Sequence, residues 1–219
     1  MNMQSKVERL ITDKSFDYLQ PYFYNNPFAL RCELGIGKTQ EEYMRQARER
    51  AIRIYNILFP DKADAIIFNQ WIYDWSDSGD AGSLEYDGDT KEIIDRYIGS
   101  EMRALRFLLE NMMKYRHVSV KGLKTYEPDD PDVRRNRIVC YADDTGFDDL
   151  DLIEKQIADE NNSEVSLVSF KNECILSVYD DRGCDIVFST REKLQEFYPL
   201  LEPYFLQYDR DIMIKRGLK

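Results

Sequence analysis

Histidine and paired cysteines are scarce in this chain. Among 219 residues only His117 is a histidine, and no two of the four cysteines form a CxxC pair: Cys32, Cys140, Cys174 and Cys184. Zinc sites and disulfide networks need clusters of these residues, so we expect neither, and we expect no cofactor. No nucleophile motif accompanies His117, and its cationic neighbours lower its basicity, which favours a surface or strand-edge role over a catalytic one.

Long apolar runs are also missing. The N-terminus has no apolar stretch of signal-peptide length, and no run elsewhere approaches the roughly 18 residues that cross a bilayer. We therefore expect a cytoplasmic protein that does not bind membranes.

Positive charge is in deficit. The chain has 41 Asp and Glu against 30 Lys and Arg, a net charge of −11 and a pI near 4.7. Repulsion from phosphate argues against nucleic acid as the main partner and favours a basic protein, although an acidic surface also serves solubility. The 15 Tyr and 11 Phe suit a packed core and an aromatic contact surface.

No repeat, low-complexity tract or flexible linker divides the chain, so we expect one domain over residues 1–219. Patterning predicts a strand at Phe28–Leu34, a helix capped by Thr39 and Glu42 and ended by Pro60, and a strand at Ala65–Tyr73. This order suggests a crossover unit, right-handed if the two strands are parallel neighbours. A loop is predicted at Asp74–Gly88, followed by a helix capped by Asp89.

The last third of the chain is the most regular. We predict a hairpin in which Asp180 pairs with Cys184 and Val178 with Ile186, with Gly183 at positive φ, and a third meander strand at Val165–Phe170. Before it, a strand is expected at Arg137–Ala142 and a helix at Asp148–Asn161. After it, Ser189 and Glu192 should cap a helical region interrupted at Pro199 and Pro203. The result is an α+β fold: a mixed, mostly antiparallel sheet with a C-terminal β-meander and helices on at least one face.

Several segments resemble a known family. They are LRCELG at Leu30–Gly35, ILFP at Ile57–Pro60, FNQWIYD at Phe68–Asp74, and VYDDRGCDIVFSTREKLQEFYPLLEPYFLQYDR at Val178–Arg210. In these segments the chain resembles a bacterial domain-of-unknown-function family, number 3885 of that series. The resemblance runs from about Phe28 onward, with a divergent middle. It implies a bacterial origin and one fold, and it implies no activity.

The segment GIGKT, at Gly35–Thr39, suggests a phosphate-binding loop between a strand and a helix. The full pattern needs a glycine where this chain has Cys32, so the loop is too short to surround a phosphate. Thr39 is already assigned as a helix cap. Nucleotide binding is therefore disfavoured.

The turn at Asp180, Asp181 and Arg182 is the second candidate. Its carboxylates and guanidinium could hold a cation, orient a basic partner or act as an acid and base, with Arg31 and Glu33 as expected neighbours. The same residues also suit a purely structural turn. The acidic loops lack calcium-loop spacing.

Two functions remain open at this point. One is a non-catalytic binding protein with an acidic surface, immunity-like in neutralising a basic partner. The other is an enzyme with carboxylate or divalent-cation chemistry near Asp180–Arg182. The sequence leaves the oligomeric state open.

Overall fold

A computed structural model describes residues 6–7, 22–74, 117–126, 134–143, 148–158 and 164–218, with backbone alone for 68–74, 117–126, 134–143, 164 and 217–218. The predicted loop at Asp74–Gly88 and the helix capped by Asp89 lie almost wholly outside these residues.

Seven strands form one sheet. They are β1 (Ala29–Glu33), β2 (Ala65–Asp74), β3 (His117–Tyr126), β4 (Arg134–Asp143), β5 (Glu164–Ser169), β6 (Cys174–Val178) and β7 (Gly183–Phe188). Their order is β1-β7-β6-β5-β2-β4-β3, and every pair among these described strands is antiparallel. The predicted α+β class and the β5-β6-β7 meander are confirmed.

Residues 6–7 are helical, and the helices whose bounds are described are α1 (Tyr22–Asn25), α2 (Gln40–Leu58), α3 (Asp149–Ile157), α4 (Arg191–Leu201) and α5 (Arg210–Leu218). Single 3₁₀ turns at Glu202–Tyr204 and Gln207–Asp209 join α4 to α5. In these residues no helix is long and apolar enough to cross a membrane.

Local sequence rules set the ends of α2. The Thr39 hydroxyl accepts a hydrogen bond from the Glu42 backbone N–H at 3.2 Å, as the capping-box pattern predicts. The Glu42 carboxylate turns to the Lys38 N–H at 3.1 Å. The helix ends two residues before Pro60, because a residue preceding proline disfavours helical geometry.

The hairpin register differs from the prediction by two residues. Val178 pairs with Cys184 and Leu176 with Ile186, so four residues form the loop. The Asp180 side chain fixes that loop by accepting the Arg182 N–H at 2.8 Å. Gly183 is not at positive φ. A shift of two keeps every side chain on its predicted face.

Three further expectations need correction. Strands β1 and β2 are not neighbours, because β7, β6 and β5 lie between them. Thr190, not Ser189, caps α4, and the Ser189 hydroxyl donates to Glu173 instead. Pro199 lies inside α4 without ending it.

The segment before residue 134 also contains β3, which the weak pattern there did not predict.

The outer edge of β1 is covered. Its outward carbonyl groups accept hydrogen bonds from other elements: Ala29 from Arg216 at 3.0 Å, Arg31 from the Leu206 N–H at 3.1 Å, and Glu33 from Arg50 at 2.8 Å. An edge whose groups are already paired cannot accept an extra strand.

Candidate functional site

The two segments that best define the family resemblance lie side by side. β1 contains LRCE of the first segment, and β7 follows the YDDR turn of the second. Their register places Arg31 opposite Asp185 and Glu33 opposite Gly183. The structure thus brings together residues about 150 positions apart in the sequence.

Arg31 and Asp185 form a buried ion pair. The Arg31 Nε lies 2.8 Å from Asp185 Oδ1, and a terminal guanidinium nitrogen lies 3.1 Å from Oδ2. Asp185 Oδ2 also accepts the Phe23 backbone N–H at 3.0 Å, and the Asp185 residue is 1% exposed. The pair therefore joins α1, β1 and β7 in one place.

A second carboxylate completes this cluster. Asp209, which is 1% exposed, lies 3.5 Å from the Arg31 guanidinium and accepts the Tyr24 hydroxyl at 3.1 Å. Arg216 lies nearby with its guanidinium 4.3 Å from the Phe23 ring centroid. Two cations and two anions thus lie close together, three of them buried and Arg216 partly buried.

The pKa values reflect this environment. Burial lowers the pKa of Arg31, but its hydrogen bonds and the charge of Asp185 outweigh burial and raise that pKa. Burial lowers the pKa of Arg216. Burial and the Asp209 hydrogen bond raise the pKa of Tyr24, which therefore stays protonated as a donor.

Aromatic rings enclose the rest of the Arg31 guanidinium. Its central carbon lies 4.7 Å from the Tyr24 ring centroid, 5.2 Å from Phe23 and 5.9 Å from Tyr179. Arg31 was a candidate for ligand binding, but here it anchors the fold and has little surface left for a ligand.

The Asp180–Arg182 turn lies at the end of β1, as the sequence suggested. Leu34 donates its N–H to the Arg182 carbonyl at 2.9 Å, which brings Glu33 alongside the turn. Within the turn, Asp180 accepts both the Arg182 N–H and its Nε, each at 2.8 Å. Asp180 and Arg182 therefore satisfy each other, and Asp181 and Glu33 are the freer carboxylates.

Tyr43 lies near the Asp180–Arg182 turn and Glu33, and the sequence analysis did not predict it there. Burial raises its pKa, and the charges of Asp181, Asp180 and Glu33 add to that effect while Arg182 opposes it. A Cβ placed on Gly35 would lie 2.0 Å from the Tyr43 ring. The glycine after β1 was the available signal, because it shows that a bulky group comes close to the backbone there.

The GIGKT loop is used to begin α2. The Lys38 N–H donates to Glu42 and the Thr39 hydroxyl caps the helix. A phosphate-binding loop needs such N–H groups free to face the phosphate. This geometry supports the interpretation of GIGKT as the start of a helix and not as a phosphate-binding loop.

The described part of the chain holds no group of three or more His, Cys, Asp or Glu side chains arranged to bind a metal ion. The freer carboxylates of the turn therefore do not form a ready-made cage. Any cation there would need ligands from water or from a bound molecule.

The thiols of Cys32, Cys174 and Cys184 should not react in the native protein. All three are 0% exposed; burial raises the pKa of Cys174, and a hydrogen bond to Cys32 together with burial raises that of Cys184. Because the thiolate is the nucleophile, we expect no labelling by iodoacetamide without denaturant and full labelling in guanidinium. Peptide mass spectrometry would measure this site by site, and native labelling at Cys184 would contradict it.

Exposed apolar side chains gather next to the buried cluster. Tyr208 is 87% exposed, Tyr24 48% and Ile212 39%. Tyr24 donates to the buried Asp209 carboxylate, which holds the Tyr24 ring in place, and Tyr208 immediately precedes Asp209 in the chain. We call Tyr24, Tyr208 and Ile212 the tyrosine surface.

Comparison with known proteins places the chain in a family. No curated protein and no solved structure matches it. The family described as "Domain of unknown function (DUF3885)" matches residues 10–209, a range that includes both strands of the candidate site. This match confirms the family predicted from the sequence. The chain therefore belongs to the DUF3885 family.

Proposed function

We propose that this chain is a non-catalytic, cytoplasmic binding protein that neutralises a basic partner protein through the tyrosine surface. The observation that supports this proposal best is that Tyr208 is 87% exposed next to the buried Asp209. Tyrosine is enriched at protein interfaces because it supplies a large contact area with little loss of side-chain entropy.

Charge supports the choice of partner. The net charge of −11 would speed association with a cationic protein, whereas the apolar tyrosine surface would supply most of the affinity. The exposed acidic residues that could steer a partner include Asp148, the N-cap of α3, and Asp151 of α3, which also pairs with Lys155 at 2.7 Å.

Asp149, in contrast, belongs to the interior. It is 3% exposed, and its Oδ2 accepts the Tyr55 hydroxyl at 2.6 Å and the Ala63 N–H at 2.7 Å. Substituting Asp149 would test stability. Asp148→Asn with Asp151→Asn tests steering, and we expect a lower association rate at low salt with little effect at high salt.

Tyr208→Ser is the direct test of the contact surface. The tagged protein is used to capture partners from its native cells at low and high salt. A near-stoichiometric basic protein retained by the wild type and lost with Tyr208→Ser is expected, because removing an interface tyrosine typically weakens binding by about tenfold or more.

Gln207→Ser provides the matched control, since Gln207 is the exposed neighbour in the same 3₁₀ turn. Equal loss of the partner with both variants would contradict a role for the ring. Retention of no protein at either salt would overturn the proposed function.

A second candidate function is carboxylate or cation chemistry at the turn. It is favoured by the β1–β7 register, which places Glu33 beside Asp180–Arg182. If carboxylate or divalent-cation chemistry occurs at Asp180–Arg182, then Mg²⁺, Mn²⁺ or Ca²⁺ should raise the melting temperature, and Asp181→Asn or Glu33→Gln should abolish that shift. An unchanged melting temperature with all three ions would exclude a resident cation at this turn.

A further inference from the structure

Two cysteines face each other across strands β1 and β7. The register pairs Cys32 with Cys184, two residues that lie far apart in the sequence. Partners in a strand pair lie on the same face of a sheet, so both side chains point to the same side. Strand pairing therefore brings together two thiols whose positions in the sequence gave no reason to join them.

The spacing of the two cysteines follows from the hydrogen bonds of this strand pair. Two residues further along, the Leu34 N–H donates to the Arg182 carbonyl at 2.9 Å, so those two residues form a hydrogen-bonded pair. Hydrogen-bonded pairs recur at every second position of antiparallel strands, which makes Cys32 and Cys184 such a pair, with Cα atoms about 5.5 Å apart. This separation lies within the range of natural disulfides, whose Cα atoms are most often about 5.5–6 Å apart.

The two thiols are in contact and closed to solvent. A hydrogen bond joins the side chains of Cys32 and Cys184, and each residue is 0% exposed. Cys174 is equally buried, but it pairs with Phe188 on one side and Ser169 on the other. Of these three buried cysteines, two are therefore placed to form a bond with each other and the third is not.

We propose that Cys32 and Cys184 are a redox-dependent staple, which closes to a disulfide when the chain folds under oxidising conditions and stays as two thiols when it folds under reducing ones. The choice is made during folding, because burial closes both thiols to reagents in the folded chain. This device is independent of the proposed binding function.

A low-molecular-weight disulfide such as oxidised glutathione supplies the oxidation. Before β1 has docked, one cysteine thiolate attacks a glutathione sulfur, which forms a mixed disulfide and releases one glutathione thiolate. The second cysteine thiolate attacks the cysteine sulfur of that mixed disulfide and releases the second glutathione thiolate. The two protons lost by the cysteines pass to the two glutathiones. Pairing of β1 with β7 favours the second step, because it holds the two sulfurs together.

The staple ties down the strand at one end of the sheet. β1 is the first strand in the strand order and pairs with β7, and the buried Arg31–Asp185 pair lies one residue away from the two cysteines. A disulfide here closes a loop of about 150 residues and restricts the unfolded chain, so we expect it to raise the urea midpoint by about 1 M.

The test refolds the full chain from guanidinium, once with reduced glutathione alone and once with a mixture of oxidised and reduced glutathione. Remaining thiols are alkylated with iodoacetamide in guanidinium, and the peptides are mapped by mass spectrometry without reduction. After oxidative refolding we expect a disulfide between Cys32 and Cys184, an alkylated Cys174 and the higher urea midpoint. After refolding with reduced glutathione alone we expect every cysteine to be alkylated and the midpoint to stay low.

Cys174→Ala is the matched control, because it removes a buried cysteine that has no cysteine opposite it on β5 or β7. This variant should keep both the disulfide and the midpoint shift, whereas Cys184→Ala should lose both. The peptide map of the wild type decides the question even if Cys184→Ala does not fold.

Three outcomes would overturn the proposal. Mixed disulfides with glutathione that never close would show that the native pairing does not bring the sulfurs together. Links to Cys140 or Cys174 as frequent as the link between Cys32 and Cys184 would show random oxidation of the unfolded chain. Rapid closure after oxidised glutathione is added to the folded, reduced chain would contradict a choice made during folding.

Discussion

Replacing Arg31 with methionine is expected to lower the free energy of unfolding by about 3–5 kcal/mol. The substitution keeps most of the aliphatic stem but removes the guanidinium between Asp185 and Asp209. Asp185 would then remain buried as a charge with the Phe23 N–H as a donor. Because domains of this kind are stable by about 5–15 kcal/mol, a loss of this size is severe. Urea unfolding followed by circular dichroism measures it.

Arg182→Met is the matched control, because Arg182 also pairs with an aspartate, but at the surface. Its side chain is 76% exposed, against 11% for Arg31. An exposed pair contributes less than about 1 kcal/mol, so this variant should unfold almost like the wild type. Adding Asp185→Asn to Arg31→Met should recover part of the loss, since it removes the uncompensated charge. Equal losses in the two methionine variants would show that burial is not the cause.

The sequence allows the prediction of features that depend on neighbouring residues. The start of α2 at Thr39 and its end before Pro60 follow from capping and proline rules that act within four residues. The meander follows from alternation and turn residues in one continuous segment. β3 was missed because its alternation includes Gly122 and charged positions, which weaken a strand pattern.

The candidate site depends on contacts between distant residues, and local patterns do not report those contacts. Asp209 lies 185 positions after Tyr24, and its segment shows nothing that distinguishes it from a surface aspartate. Arg31 was predicted as a binding residue beside the turn, whereas its side chain pairs with Asp185 on the neighbouring strand. The alternation of β7 could assign Asp185 to one face of the sheet. Only the strand order shows that β7 pairs with β1, which places Asp185 opposite Arg31.

Gly183 illustrates how the right residue can be selected for the wrong reason. The turn pattern predicted positive φ there, whereas the structure requires glycine because of close approach. A Cβ at this position would lie 2.4 Å from the Tyr179 hydroxyl oxygen and 2.7 Å from the Cys32 carbonyl oxygen. One contact is with a side chain that can move, and the other is with the backbone of β1, which cannot move without disturbing the pairing.

Gly183→Ala should therefore lower the free energy of unfolding by about 1–3 kcal/mol, because both neighbours must shift. Adding Tyr179→Phe removes the first contact and leaves the second, so the double variant should recover only part of the loss relative to Tyr179→Phe alone. Urea unfolding of the wild type, the two single variants and the double variant gives the coupling energy directly. Full recovery would show that β1 yields easily at Cys32; no recovery would place the whole strain in the β1–β7 backbone contact, and an unchanged stability of Gly183→Ala would contradict the close approach itself.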